Sequence, residues 1–145
     1  MSKTALLFAG QGAQTVGMGK DLAETFPSAK AWFDRANTAL GYDLAAVCFS
    51  GPESELTKTE NAQPGIYLVS WIALELLKER VPNLACDATA GLSLGEFTAL
   101  AAAGSFSFED GLRVVRQRGK FMQEACEATH GGIDRKSTRL NSSHQ

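Results

Sequence analysis

Gly91-Leu92-Ser93-Leu94-Gly95 sets a serine between two glycines, with a strand candidate before it and a helix candidate after it. On a tight strand-to-helix turn a serine needs small neighbours on both sides, and such a turn lifts its hydroxyl off the sheet. The following helix presents unpaired backbone N–H groups and a partial positive charge, which suit a developing oxyanion. Glu96, in the first turn, complements the same dipole. Ser93 is therefore either an acyl-accepting nucleophile or an incidental residue of a glycine-rich turn. A second turn, Gly10-Gln11-Gly12-Ala13-Gln14, follows the first apolar run. A dinucleotide fingerprint requires glycine at position 15, where Thr15 stands, so that reading fails. What remains is a plain turn, or a loop whose backbone can approach a ligand and whose amides can donate.

Arg118 is the informative cation. At about 100° per residue, Val114, Val115, Phe121, Met122 and Ala125 share one arc of the last helix, and Arg118 falls inside it. Arg113, Arg116, Lys120, Glu109, Glu124 and Glu127 fall outside. An arginine on a buried face requires an anionic or carbonyl partner, and its planar fork matches a carboxylate in two parallel hydrogen bonds. The competing readings are an internal ion pair and a snorkelling side chain. A nucleophilic serine also needs a base within hydrogen-bond reach. His130, among Thr129, Gly131 and Gly132, and His144, in a polar C-terminus, are both poor candidates.

The elements that must position these groups alternate. Lys3 to Phe8 reads as a buried strand ended by Gly10, and Ala9 to Gly19 as a loop. Helical patterns cover Lys20 to Thr25, Ser28 to Leu40 and Leu44 to Phe49. Pro64 is expected to open a largely buried helix over Gly65 to Arg80. Ala85 to Ala90 is a weak strand candidate. Leu94 to Ala103 reads as a helix closed by Gly104, and Ser107 caps a last helix of about twenty residues. This order implies an α/β layer fold with parallel strands.

Composition narrows the function classes. The chain has 145 residues, 44% hydrophobic and 21% charged, enough for one domain. Fourteen basic against 16 acidic residues give a net charge of −2, without the basic field that a nucleic-acid backbone requires. The strongly apolar stretch Ile66 to Leu77 is too short to span a membrane. Three cysteines, Cys48, Cys86 and Cys126, lack ligand spacing and suit reduced thiols in a cytoplasmic protein. Asp134 to Gln145 has Leu140 as its one large apolar side chain and resembles a translated sequencing-adapter read-through. Residues 133–145 are accordingly read as a non-native, disordered tail, with the natural protein continuing past Gly132.

FAGQGAQTVGMG near the start, GYDL at Gly41, NAQPGIY at Asn61, GLSLGE at Gly91 and RQRGKFMQEA at Arg116 occur in the order seen in the malonyl-CoA:acyl carrier protein transacylases, which the sequence resembles from Lys3 to Gly132. The resemblance implies an [acyl-carrier-protein] S-malonyltransferase of bacterial fatty acid synthesis. Residues 1–132 would form the N-terminal part of the α/β-hydrolase-like large subdomain, truncated, with the ferredoxin-like small subdomain missing. It implies Ser93 as the nucleophile, Arg118 as the partner of the substrate's free carboxylate, and the backbone N–H groups of Gln11 and Leu94 as the oxyanion hole. Malonyl-CoA and acyl carrier protein would be the substrates and partners, with no cofactor, no metal, no nucleic acid and no membrane, and a monomeric full-length enzyme. Leu92 stands where the family commonly has histidine, and Ala9 where proline is usual. The catalytic histidine and its supporting residue would lie beyond the break, leaving the fragment inactive and its apolar patches exposed. A serine hydrolase or thioesterase, and an acyltransferase domain of a polyketide synthase, are the alternatives.

Overall fold

A computed structural model describes residues 3–129; the 133–145 tail reading, His130 and His144 lie outside the described residues. The order is β1 (Ala5–Phe8), α1 (Lys20–Thr25), α2 (Pro27–Leu40), α3 (Leu44–Ser50), α4 (Glu53–Thr57), α5 (Thr59–Arg80), β2 (Ala88–Gly91), α6 (Leu94–Ala102) and α7 (Phe108–Thr129). β1 and β2 pair in parallel, from Ala5 opposite Ala88 to Phe8 opposite Gly91. The architecture is α/β with a small parallel sheet, as the alternation of elements implies. That register brings the carboxyl ends of both strands together, so the loops after Phe8 and after Gly91 leave side by side.

Side-chain caps and a glycine mark the helix ends. The Asp43 side chain accepts from Ala46 N–H at 2.9 Å and starts α3. Ser107 Oγ accepts from Asp110 N–H at 3.1 Å ahead of α7. Gly104, at φ 81°, follows the end of α6. The core lies between α2, α5, α6 and α7, where Phe33, Tyr67, Leu68, Ile72, Leu94, Leu112 and Val115 are buried. Two glycines let α7 lie close against α5. A Cβ at Gly111 would run into the Tyr67 ring, and one at Gly119 would meet the Thr59 carbonyl oxygen at 2.5 Å.

Four expectations need correction. Helix α5 starts at Thr59 rather than at Pro64, which is its sixth residue. Asn61, Ala62 and Gln63, ahead of the proline, are buried helix. Asn61 anchors that turn, accepting from Tyr42 Oη at 3.0 Å and donating to the Glu55 carbonyl at 3.0 Å. Strand β1 is shorter than expected and half exposed, with Leu7 79% exposed. Strand β2 begins at Ala88, three residues later than read. On α7 the buried line is Phe108, Gly111, Leu112, Val115 and Gly119, whereas Val114 and Phe121 of the expected arc are exposed. Among the described residues no helix is long and apolar enough to cross a membrane.

Candidate active site

The turn between β2 and α6 is built from glycines that backbone contacts require. A Cβ on Gly91 would collide with the Gly95 and Glu96 backbone, and one on Gly95 with the Phe8 carbonyl. A Cβ on Gly10 would meet the Leu92 carbonyl oxygen at 2.5 Å. The Gln11 loop and the serine turn therefore touch through bare backbone. Between the two glycines Ser93 takes φ 54°, ψ −102°, and it is the one non-glycine residue with positive φ among the described residues. Backbone in this region costs on the order of 1–3 kcal/mol and is kept only where its surroundings impose it. The result is an exposed Ser93 side chain at the N-terminus of α6.

Leu94 is buried as the first residue of α6, so its N–H belongs to the set with no partner inside the helix. Gln11 follows Gly10 in a turn where Ala13 N–H donates to the Gly10 carbonyl at 3.3 Å and Gly12 N–H to Gln14 Oε1 at 2.8 Å. The structure thus puts Gln11, in the loop after β1, and Leu94, at the start of α6, at the same end of the sheet. Ser93 shares that end.

Arg118 reaches this point from α7. Nη2 donates to Ser93 Oγ at 3.0 Å and Nη1 to Gln63 Oε1 at 2.8 Å. The guanidinium carbon lies 5.5 Å from the centroid of the Phe97 ring. Among the described residues no carboxylate pairs with Arg118, which disposes of the internal ion pair. Both of its partners are neutral, so a half-buried cation is oriented but left unneutralised beside the Ser93 hydroxyl. The arc proposed for α7 has its explanation here. Val114, Arg118, Phe121, Met122 and Ala125 line, with Phe97, an open hollow of about 530 Å³ rather than core.

Gln63 was missed by sequence reasoning. It is wholly buried on α5, and its Nε2 donates to Met122 Sδ at 3.0 Å while its Oε1 holds Arg118. The available signal was a polar pair, Asn61 and Gln63, running into a strongly apolar helix. The described residues include no histidine and no cluster of side chains suited to a metal ion.

Comparison with known proteins shows which family the chain is similar to. Residues 5–139 match the family model described as acyl transferase domain. The chain is 49% identical over 133 residues to the malonyl CoA-acyl carrier protein transacylase of Bacillus subtilis, covering 92% of this chain and 41% of that protein. The crystal structure of the malonyl CoA-acyl carrier protein transacylase from Clostridium perfringens superposes with a TM-score of 0.80 at 46% identity, covering 86% of this chain and 39% of that one. A malonyl-transacylase in complex with its type II polyketide synthase acyl-carrier protein gives a TM-score of 0.80 at 43% identity, covering 86% and 40%. The chain spans about 40% of the length of each of these three relatives.

Proposed function

The chain belongs to the acyl transferase domain family, and from that premise we propose that its site accepts a malonyl group from malonyl-CoA on Ser93 and passes it to the phosphopantetheine thiol of an acyl carrier protein. The observation that carries this reading is the Arg118 fork, held by neutral partners at hydrogen-bond distance from the serine hydroxyl. A group bound there has a thioester carbonyl near Oγ and an anion near the guanidinium, a description that malonyl fits and acetyl does not.

In the first step Ser93 Oγ attacks the thioester carbonyl, the C–S bond breaks and CoA leaves as its thiol. The N–H groups of Gln11 and Leu94 face the oxyanion of the tetrahedral intermediate. Arg118 exchanges Ser93 for the distal carboxylate, freeing the oxygen lone pair while Gln63 keeps the guanidinium in place. In the second step the carrier thiol attacks the seryl ester and regenerates the hydroxyl. The bonds made and broken need no cofactor. The carrier partner is supported by the related malonyl-transacylase whose structure contains one. The serine turn after a parallel strand supports assigning this part of the chain to an α/β-hydrolase-like large subdomain.

Residues 3–129 supply nucleophile, clamp and oxyanion donors but no imidazole base. We therefore expect this 145-residue chain to bind malonyl-CoA without sustained turnover. Water as the acyl acceptor would make the site a hydrolase; the carrier thiol is favoured by the related malonyl-transacylase solved with its acyl-carrier protein. Equilibrium titration of the chain with malonyl-CoA and with acetyl-CoA tests the reading, malonyl-CoA being expected to bind the more tightly. Equal binding of the two acyl-CoAs would refute it.

A further inference from the structure

The amide of Gln63 carries a constraint that the reaction scheme above does not use. It is wholly buried, and an amide has one accepting end and one donating end. A guanidinium only donates, so the carbonyl end must face Arg118, as it does at 2.8 Å. The NH2 end is then left in the interior, where a donor without an acceptor is costly. The group it meets is the thioether of Met122, which only accepts, at 3.0 Å. Arg118 and Met122 are four residues apart on α7, hence on one face of that helix. One helix thus supplies a donor for one end of the amide and an acceptor for the other. Rotating the amide by half a turn would set NH2 against guanidinium and carbonyl against sulfur, two mismatches at once.

We propose that Met122 is a positioning residue: its sulfur fixes which way the Gln63 amide faces, and the amide in turn fixes Arg118 for an acyl group bearing a carboxylate. This rests on the reading of Arg118 as the carboxylate clamp. An apolar residue of equal size at 122 would fill the same space yet remove the acceptor, so the amide would lose one of the two contacts that set its sense and its NH2 would be left buried without a partner, loosening its hold on Arg118. The cost should fall on malonyl and spare acetyl, which makes no use of the guanidinium.

Equilibrium titration of the 145-residue chain with malonyl-CoA and acetyl-CoA, alongside thermal melts, tests this. Met122→Leu should lose about three- to tenfold in malonyl-CoA affinity with acetyl-CoA affinity unchanged. Met122→Gln, whose carbonyl also accepts, should restore the preference. The proposal is overturned if Met122→Leu leaves the ratio of affinities intact while Arg118→Ala collapses it. It is equally overturned if Met122→Gln behaves as leucine does, or if Met122→Leu lowers both affinities together with the melting temperature. Failure of the underlying reading looks different: the unsubstituted protein shows no malonyl preference, or Arg118→Ala leaves one untouched.

Discussion

Arg118 Nη2 lies 3.0 Å from Ser93 Oγ, so the cation and the hydroxyl proposed as nucleophile are in direct contact. The hydroxyl oxygen accepts from a group that cannot act as its base. On the proposed function, an incoming carboxylate would do two things at once, satisfying the guanidinium and releasing the oxygen it occupied. Acetyl-CoA offers no anion to draw Arg118 away.

Arg118→Ala should consequently erase discrimination between acyl groups rather than binding as such. Malonyl-CoA affinity should fall by about ten- to a hundredfold, the worth of a charge-assisted pair of about 1.5–3 kcal/mol. Acetyl-CoA affinity should hold or rise. Arg118→Lys keeps the charge but cannot bridge Gln63 and a ligand with one planar fork, and should recover only part of the loss. Parallel titrations of both ligands decide it.

Ser93→Gly exposes the conflict between stability and chemistry at the turn. Serine at φ 54°, ψ −102° holds strained backbone that glycine adopts freely. Despite losing the bond to Arg118, the variant should unfold in urea at an equal or higher midpoint, with a gain of up to about 1 kcal/mol. Acylation should vanish. A clear drop in midpoint would show that the turn is relaxed around serine.

How far the sequence disclosed this site depends on the kind of constraint behind each residue. Ser93 was legible because Gly91 and Gly95 mark contacts that any Cβ would break, and such contacts are written as glycine. The parallel pairing of β1 and β2 followed from the alternation of elements. Arg118 was found on an arc mistaken for core. That arc is apolar because it lines a hollow, and periodicity registers an apolar face without telling a packed one from an open one. Gln63 left no such trace. Its importance comes from facing α7 across 55 residues of chain, and the proline after it invited a helix start at Pro64 that would have put it in a loop. Leu7 read as part of a buried strand and is 79% exposed, because burial of a strand depends on what packs against it.

Alkaline solution should destabilise the fold ahead of any effect on the site. Burial pushes the Cys48 thiol from its ordinary 9.0 to about 12, and the Tyr42 hydroxyl from 10.0 to about 12. Tyr67 is raised by burial too. Below pH 9 native and unfolded chains hold the same protons at these groups, and their contribution is fully present. Between pH 9 and 12 the unfolded chain releases protons that the native one keeps, so stability falls as pH rises. Cys48→Ala should flatten the decline between pH 9 and 10, before the tyrosines contribute. Urea midpoints measured from pH 7 to 11 check both claims, and a midpoint rising with pH would contradict them.

Gly119→Ala tests whether helix spacing sets the clamp. The added Cβ would sit 2.5 Å from the Thr59 carbonyl oxygen and 2.9 Å from Glu60 Cα, both backbone atoms that cannot rotate away. Relief requires α7 to move off α5, and overpacking of this kind costs about 1–3 kcal/mol. Arg118 precedes Gly119 on α7, while Gln63 is anchored on α5, so the same movement lengthens the bond between them. The variant should lose stability and, where still folded, lose malonyl-CoA affinity in excess of acetyl-CoA affinity. Gly41→Ala is the control: its Cβ would enter open space, but its φ of 73° strains any side chain. It should lower the melting temperature and leave the ratio of the two affinities where it was.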